Sequence, residues 1–294
     1  MQIVIPMSGI GRRFIESGYS NPKPLIEVEG KPIIEHVINM FPGEDDFLFI
    51  CNSDHLKNTK MREIIKKLKP SAKIISIKPH KFGPVYAVMK AKKFLHDDSP
   101  IIVNYCDFNA YWDYGNFKMM VEKTGADGCV PCYTGFHPHL LRGQLYAGVK
   151  ADENNRVLEI KEKHRFTPSP FDTWHSSGTY YFSSGKMVKD YFSELLSFND
   201  KKINGEHYVS TVYELMLRDK LKVYVYEHKY FCQWGTPQDL QEYQWWSELF
   251  KKITSGLIAE ETIKFKISDG RRIFDYWKEF FSLSNFHSFG KGLL

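Results

Sequence analysis

Two short segments near the start of the chain carry residues suited to phosphate chemistry. A glycine-rich turn at 7–14 follows a strand-like run at 2–6 and contains Arg12 and Arg13, and Lys23 lies between two prolines further on. Backbone N–H groups of such a turn can approach a phosphate chain, and fixed cations stabilise the charge that builds on phosphoryl oxygens. The pattern predicts a nucleotide phosphate-binding loop, with solvent-exposed arginines on a plain turn as the alternative.

Two common phosphate-binding loops do not match this turn. The P-loop of NTPases requires a Gly-Lys-Ser/Thr ending, which is absent here. A dinucleotide-binding fingerprint requires a third glycine, and Phe14 stands where it would fall. The turn therefore belongs to neither class.

A carboxylate further along the chain is a second candidate for phosphate chemistry. Asp107 follows the almost wholly apolar run at 100–105, which predicts a strand buried on both faces. Aspartate at the carboxyl end of a central strand is well placed to hold Mg²⁺ against phosphates. A helix cap or turn residue is the alternative interpretation of Asp107.

The elements that must position these residues alternate between strand and helix in the first half of the chain. Strands are predicted at 2–6, 47–51, 73–77, 100–105 and 127–133, and helices at 32–41, 57–69, 84–95 and 115–123. Strands alternating with helices over about 130 residues indicate βαβ units and a parallel, doubly wound sheet.

The second half changes pattern. The predicted elements are a hairpin at 144–150 and 156–160, strands at 174–182 and 222–227, and helices at 184–196, 207–218, 237–252 and 273–281. The hairpin and added strands extend the same sheet with a substrate-binding lobe. The predicted fold class is therefore α/β, a Rossmann-like doubly wound mixed sheet with helices on both faces. Residues 282–294 are expected to be loosely structured.

Composition and charge exclude several classes of protein. The 294 residues are 43% hydrophobic with a formal net charge of +5, and no apolar run reaches the length of a membrane span. The N-terminus does not resemble a signal peptide. Basic residues cluster at 57–69 at helical spacing, which indicates a solvated helix face and no nucleic-acid partner.

The cysteines point to a reducing compartment. Five scattered cysteines argue against a disulfide framework, so the cytoplasm is the simplest location. Cys129 and Cys132 have the C-x-x-C spacing, but they lie in a predicted strand, where residues three apart face opposite sides. A redox or zinc role for this pair is therefore not expected.

The front segment resembles the sugar-1-phosphate nucleotidyltransferase family, whose pattern is G-x-G-[ST]-R-[FL] followed by P-K-P. Residues 9–14 and 22–24 carry that pattern here. The resemblance implies that Arg13 holds the NTP phosphates and promotes attack, and that Lys23 neutralises the α-phosphate. Arg12 replaces the usual serine or threonine and adds a cation. The implied nucleotide-binding residues of this loop are Met7, Ser8, Gly9, Gly11 and Arg12.

Further matches follow in the order of the family. The segment 82–87, with Gly83 and Pro84, resembles the part that contacts the base, although its usual Gly-Thr-Ala form is changed. The segments 146–149, 162–163, 176–182 and 204–208 resemble those that meet the sugar and its phosphate. The substrate-binding residues implied by these matches are Tyr146, Gly148, Glu162, Lys163, Ser176, Gly178 and Glu206.

The last match contains the main departure from the family. Residues 234–240 resemble D-x-G-T-P-x-D-L, but Gln233 stands where the family has an aspartate as second metal ligand. The resemblance implies Mg²⁺ (or Mn²⁺) held by Asp107 and Gln233. A glutamine oxygen can bind a hard cation, but it brings no charge.

The resemblance implies a complete functional hypothesis. The chain would transfer a nucleotidyl group from an NTP to a small phosphorylated substrate, a sugar 1-phosphate, forming an NDP-sugar and pyrophosphate for surface polysaccharide synthesis. The implied nucleotidyltransferase domain covers 1–252, with a nucleotide-binding half at 1–135 and a sugar- or phosphate-binding half at 136–252. Residues 253–294 form a C-terminal extension of unknown role.

Two alternatives stay open. One is a cytidylyltransferase acting on a non-sugar phosphate such as phosphocholine, and the other is a non-catalytic regulatory subunit that binds nucleotide sugars. The expected partners are an NTP and the phosphorylated substrate, with no nucleic acid or membrane, and homo-oligomer formation is left open.

Overall fold

A computed structural model describes residues 1–143, 146–228 and 230–282. The strands in these ranges are β1 (Gln2–Met7), β2 (Glu27–Val28), β3 (Lys31–Pro32), β4 (Phe47–Asn52), β5 (Lys73–Ile77), β6 (Ile101–Asn104), β7 (Phe108–Tyr111), β8 (Gly128–Tyr133), β9 (Gly148–Ala151), β10 (Val157–Lys161), β11 (Trp174–Ser176), β12 (Thr179–Phe182), β13 (Val223–Glu227) and β14 (Tyr230–Gln233). The helices are α1 (Arg12–Glu16), α2 (Ile33–Asn39), α3 (Ser53–Asn58), α4 (Met61–Leu68), α5 (Pro84–Lys90), α6 (Tyr114–Thr124), α7 (Gly185–Ser197), α8 (Val209–Arg218), α9 (Pro237–Thr254) and α10 (Gly270–Ser282).

One large mixed sheet runs through both halves of the chain. Its strand order is β10-β9-β11-β8-β12-β6-β1-β4-β5, and β13 also pairs with β8. The neighbours β6, β1, β4 and β5 are parallel, whereas β12 is antiparallel to both β6 and β8. The predicted doubly wound mixed sheet is confirmed, and so is the hairpin of β9 and β10.

Two hydrophobic cores cover the two faces of this sheet. Along β1, Ile3 and Ile5 belong to one core and Val4 to the other, as the alternation of a strand requires. Helices α2, α4, α6, α9 and α10 pack on the first face, and α5, α7 and α8 on the second. Cys129 and Cys132 likewise fall in different cores, which confirms that they face opposite sides.

Two predicted elements are interrupted. The single helix predicted at 57–69 is wrong, because the chain leaves the helix at Thr59 and starts α4 at Met61. The Thr59 hydroxyl accepts a hydrogen bond from the Met61 N–H at 3.2 Å, which gives the backbone an alternative to the helix. The strand predicted at 174–182 is also broken, at Gly178, which has a φ of 96°.

A small two-stranded sheet was not predicted. β7 and β14 pair antiparallel, with Phe108 opposite Gln233. Both strands are buried against the first core. This pair brings β7 beside the segment that precedes α9, and it therefore fixes where Asp107 and Gln233 meet.

The C-terminal extension contributes a packed helix. α10 buries Phe274, Trp277 and Phe280 in the first core beside α9. The loose segment predicted at 282–294 lies outside the described residues from 283 onward, as do positions 144 and 145 of the predicted hairpin. Within the described ranges, no helix combines the length and the apolar composition that a bilayer crossing requires.

Candidate active site

A cleft with two connected lobes opens at the carboxyl ends of β1 and β6. The larger lobe has a volume of about 530 Å³ and the smaller about 250 Å³. Both lobes are lined by Gly9, Lys23 and Asp107, so they form one continuous site. Ligands of doubly wound sheets bind at this edge, outside the carboxyl ends of the strands.

The structure brings together all but one of the predicted site residues. Met7, Ser8, Gly83 and Pro84 line the small lobe; Arg12, Arg13, Tyr146, Glu162, Lys163, Ser176, Gly178 and Gln233 line the large lobe; Gly9, Gly11, Lys23, Asp107 and Glu206 line both. Gly148 is not among the lining residues. A Cβ there would lie 2.2 Å from the His164 carbonyl oxygen, so this glycine permits close packing of the backbone.

Lys23 forms the junction of three distant segments. Its Nζ donates to Asp107 Oδ2 at 2.9 Å and to the Gly235 carbonyl oxygen at 3.2 Å. Both members of the ion pair are partly buried, with side chains 20% and 27% exposed. The lysine of the front motif, the aspartate after β6 and the Gly-Thr-Pro motif therefore share one point of the cleft.

Asp107 and Gln233 converge beside Gly235. The Trp234 N–H donates to the Asp107 carbonyl oxygen at 3.0 Å, which continues the pairing of β7 with β14. A Cβ on Gly235 would lie 2.5 Å from Gln233 Nε2 and 3.1 Å from Asp107 Oδ2. A side chain at this position would displace the end of the Gln233 side chain from its place beside Asp107.

The two arginines of the front loop have different surroundings. Arg12 pairs with Glu16 at 2.6 Å one turn along α1, and both side chains are exposed. The Arg13 side chain is also exposed, and it has no hydrogen bond or ion pair to any residue that the structure describes. Gly11 starts α1 with a φ of 73°, a conformation that favours glycine. Arg13 is therefore the arginine of this loop that is available to an anionic ligand.

The segment around Gly83 is joined to the loop before α8. The His207 N–H donates to the Phe82 carbonyl oxygen at 3.1 Å, and the Val85 N–H donates to the His207 carbonyl oxygen at 3.4 Å. Gly83 has a φ of 89°, and a Cβ there would lie 2.5 Å from the His207 oxygen. The wall of the small lobe is therefore linked to the loop that carries Glu206.

The opposite wall carries carboxylates and tyrosines. Glu162 is buried and accepts a hydrogen bond from Ser210 Oγ at 2.5 Å. Burial raises the pKa of Glu162, and the Ser210 hydrogen bond and Lys163 only partly offset this effect. Lys163 has a φ of 53° and lies 3.4 Å from the Tyr208 hydroxyl and 5.0 Å above its ring. A non-glycine residue held in the left-handed region marks a constrained position.

Ser176 has an internal partner. Its Oγ donates to the Tyr180 hydroxyl at 3.0 Å and accepts from the Gly178 N–H at 3.3 Å. A Cβ on Gly178 would lie 3.0 Å from the Tyr105 ring, so glycine is required there by space as well as by its φ. The serine that replaces the family asparagine thus stabilises the turn between β11 and β12.

Sequence reasoning missed several lining residues, notably His80, Lys81 and Tyr105. Tyr105 and the loop with His80 follow β6 and β5, so the rule that ligands bind at carboxyl strand ends could have identified them. With Lys81 included, the larger lobe has five cationic and three acidic side chains among its lining residues. This excess favours an anionic ligand.

Three histidines lie in a buried aromatic cluster behind this wall. His137, His139 and His175 surround Tyr133, and His139 Nε2 lies 2.9 Å from the Tyr133 hydroxyl. Burial lowers the pKa of each of these histidines. Among the described residues, no group of three or more His, Cys, Asp or Glu side chains has a metal-binding arrangement. The cluster is therefore part of the packing.

Comparison with known proteins places the chain in a family. Residues 3–247 match the model of the nucleotidyl transferase family. The bifunctional protein GlmU of Methanococcus maripaludis is 32% identical over 99 residues, which are 33% of this chain and 23% of that protein. The glucose-1-phosphate cytidylyltransferase of Salmonella typhimurium is 40% identical over 53 residues, 17% of this chain and 21% of that protein.

Solved structures agree at the level of the fold. A nucleoside-diphosphate-sugar pyrophosphorylase from Vibrio cholerae superposes with a TM-score of 0.66 at 20% identity, covering 83% of this chain and 99% of that one. An inositol-1-phosphate CTP transferase from T. maritima gives 0.63 at 15% identity, covering 87% and 96%. The chain spans less than half the length of the two curated relatives named above. The chain belongs to the nucleotidyl transferase family, and the family resemblance inferred from its motifs is confirmed.

Proposed function

We propose that this member of the nucleotidyl transferase family transfers a nucleotidyl group from an NTP to a sugar 1-phosphate and releases pyrophosphate. The observation that carries the proposal is the junction at Lys23, whose ammonium group is held between Asp107 and the Gly235 carbonyl oxygen. Arg13 of the front loop and Lys163 of the opposite wall line the same cleft. These cations suit a reaction that joins two phosphate-bearing substrates.

The residues of the chain have distinct roles in this reaction. An oxygen of the substrate phosphate attacks the α-phosphorus, the bond from that phosphorus to the bridging oxygen breaks, and pyrophosphate leaves with the electron pair. Lys23 stabilises the charge on the α-phosphate, and Arg13 holds the β- and γ-phosphates. Lys163 binds the substrate phosphate. No general base is required, because the attacking phosphate oxygen is already a nucleophile.

The surroundings of Asp107 fit a hard divalent cation. Asp107 presents a carboxylate oxygen beside Gly235, and the Gln233 amide lies there with its nitrogen as the nearest atom. The oxygen of the same amide is, like the carboxylate, a donor of the kind that Mg²⁺ (or Mn²⁺) prefers. We propose that these two side chains hold the cation together with nucleotide phosphates and water. When bound, the cation neutralises phosphate charge and orients the α-phosphate. One carboxylate is a weak all-protein site, so the nucleotide supplies the remaining ligands.

A pyrophosphate-release assay tests the proposal. The protein is incubated with Mg²⁺, each of the four NTPs, and a panel of sugar 1-phosphates with phosphocholine and inositol 1-phosphate as comparators. We expect release with one NTP and one sugar 1-phosphate. If no pair of NTP and phosphorylated substrate released pyrophosphate, the enzyme hypothesis would be wrong, and a regulatory subunit that binds nucleotide sugars would be favoured.

A second candidate keeps the reaction but changes both substrates. Ser176 replaces the family asparagine, and its hydroxyl is engaged by Tyr180 and the Gly178 N–H. That contact to a sugar is therefore altered, which favours testing CTP with a non-sugar phosphate. Release with phosphocholine alone in the same panel would select this cytidylyltransferase.

The wider role is proposed from the family resemblance. The resemblance supports a place in surface polysaccharide synthesis, with the NDP-sugar as the donor for a later glycosyl transfer. All five cysteines lie within the described residues and none forms a disulfide. That state suits a reducing compartment and supports a cytoplasmic location. The domain boundaries at 135 and 252 stay predictions, and homo-oligomer formation stays open.

A further inference from the structure

His80 lies in the cleft and has no role in the reaction as described above. It follows β5 in the chain and lines both lobes. Its ring stacks near Phe82, with centroids 6.1 Å apart, and meets the Tyr86 ring edge-on at 4.7 Å. A histidine at the boundary of the two lobes is positioned to affect how they fit together.

Two hydrogen bonds fix the protonation state of this ring. The Phe82 N–H donates to His80 Nδ1 at 3.2 Å, so Nδ1 must carry a lone pair. His80 Nε2 lies 2.9 Å from Ser8 Oγ. In the neutral imidazole the proton is then on Nε2, which donates to the Ser8 hydroxyl.

These bonds connect the segments predicted to bind nucleotide. Ser8 belongs to the front loop, and Phe82 precedes Gly83 in the predicted base segment. The backbone of that segment is in turn bonded to His207. His80 therefore joins the front loop to the wall of the small lobe by side-chain bonds.

We propose that neutral His80 is a positioning residue that holds the front loop and the base segment in the arrangement that binds the nucleotide, so that acid weakens nucleotide binding. The inference rests on the proposed function, because it requires that an NTP binds here. It concerns the affinity for nucleotide and leaves the chemical step to Lys23 and Arg13.

Protonation would remove one of the two bonds. A proton on Nδ1 would face the Phe82 N–H, which can only donate, so the loop would lose its internal contact. The groups around the ring are Lys81 on its own loop, Tyr86 and Lys90 on α5, and Glu206 across the cleft. Burial, and then Lys90, lower the pKa of His80, which keeps the ring neutral near pH 7.

Two substitutions distinguish the role of the hydrogen-bond acceptor at position 80 from that of the titrating imidazole ring. In His80→Asn the amide oxygen can accept the Phe82 N–H, as asparagine does in an Asx turn, and it does not titrate. In His80→Leu the acceptor is lost. His96→Asn is a matched control, because His96 lies outside both lobes and pairs with Asp46 at 3.0 Å.

The experiment measures the Kd of the preferred NTP by calorimetry at pH 7.5 and 5.5, without the phosphorylated substrate, so that no turnover occurs. Because the γ-phosphate also titrates in this range, each variant is compared with wild type at the same pH. We expect acid to weaken binding a few-fold more in wild type and His96→Asn than in His80→Asn. The difference stays below about tenfold, because a pKa lowered below its ordinary value leaves His80 only partly protonated at pH 5.5. His80→Leu should bind about tenfold more weakly at pH 7.5, with KM for the NTP raised and kcat within about threefold.

The outcomes distinguish this inference from the proposed function. If His80→Asn shows the same pH dependence as wild type, or His80→Leu binds normally at pH 7.5, the positioning role is wrong. If wild type binds no NTP at either pH, the proposed function fails. Unchanged thermal melting of both His80 variants at pH 7.5 shows that the effect is not a loss of folding.

Discussion

The two walls of the cleft are built differently. The front loop offers backbone groups and the exposed Arg13, whereas the opposite wall presents Glu162, Ser176 and Tyr208, whose polar atoms already have partners. A wall of backbone groups and an exposed cation suits phosphates, which every NTP shares. A wall of fixed side chains suits one particular substrate. We therefore expect the first wall to set the reaction class and the second wall to select the phosphorylated substrate.

The largest effect is expected where the walls meet. Lys23→Ala removes the cation between Asp107 and Gly235 and should lower kcat/KM by about 100- to 1000-fold, as loss of a transition-state donor does. Asp107→Ala should be as severe. Lys189→Ala is a matched control, since Lys189 pairs with Asp97 on the surface at 2.6 Å. Steady-state pyrophosphate release measures kcat/KM of the two variants and of the control. Normal rates in Lys23→Ala would show that the junction is not catalytic.

The buried histidines behind the second wall should make stability depend on pH. Burial lowers the pKa of His137 to about 4 and that of His228 to about 3, from an ordinary value of 6.5. Below pH 6.5 the unfolded chain takes up protons that the folded chain cannot, so stability is full above 6.5 and falls toward pH 4.

His137 alone should account for about 3 kcal/mol of that loss. Urea unfolding between pH 7.5 and 4 measures it, with His137→Phe expected to reduce the slope. An equal slope in that variant would contradict the assignment.

Glu162→Gln should affect the second wall alone. The amide oxygen can still accept the hydrogen bond from Ser210, but it lacks the negative charge that a substrate hydroxyl would meet. We therefore expect KM for the phosphorylated substrate to rise by about 10- to 30-fold. The Kd of the NTP should stay within about twofold. Glu214→Gln is the matched control, because Glu214 pairs with Lys201 at 2.6 Å and lies outside the cleft lining. If KM for the phosphorylated substrate and the Kd of the NTP rose by the same factor, the two walls would not have separate roles.

Gln233→Asp should produce the smallest change. A second carboxylate beside Asp107 should tighten Mn²⁺ binding without nucleotide by about tenfold, because charge sets the affinity of hard-cation sites. Paramagnetic resonance of free Mn²⁺ measures this without turnover, and Gln238→Asp is the control, because Gln238 is exposed at the start of α9. Unchanged affinity in Gln233→Asp would place the cation elsewhere.

Local sequence patterns predicted most elements because strands and helices here follow simple periodicities. They could not predict the break at Thr59, where a side chain competes with the helix, or the pairing of β7 with β14, which depends on residues far apart in sequence. Motif order predicted lining positions well, and the front loop and Asp107 each directly follow a strand that ends at the cleft. It did not find His80, whose importance comes from partners at positions 8 and 82 rather than from any spacing.

The pairing of β7 with β14 also bears on how the molecule folds. Asp107 is placed beside Gln233 only when a strand from the first half meets one from near the end of the family domain. Closing so long a loop is slow, because its entropy cost precedes any gain from contacts. A growing chain cannot form this contact until β14 has left the ribosome. We therefore expect the front loop and its sheet to form early and the Lys23 junction to close late.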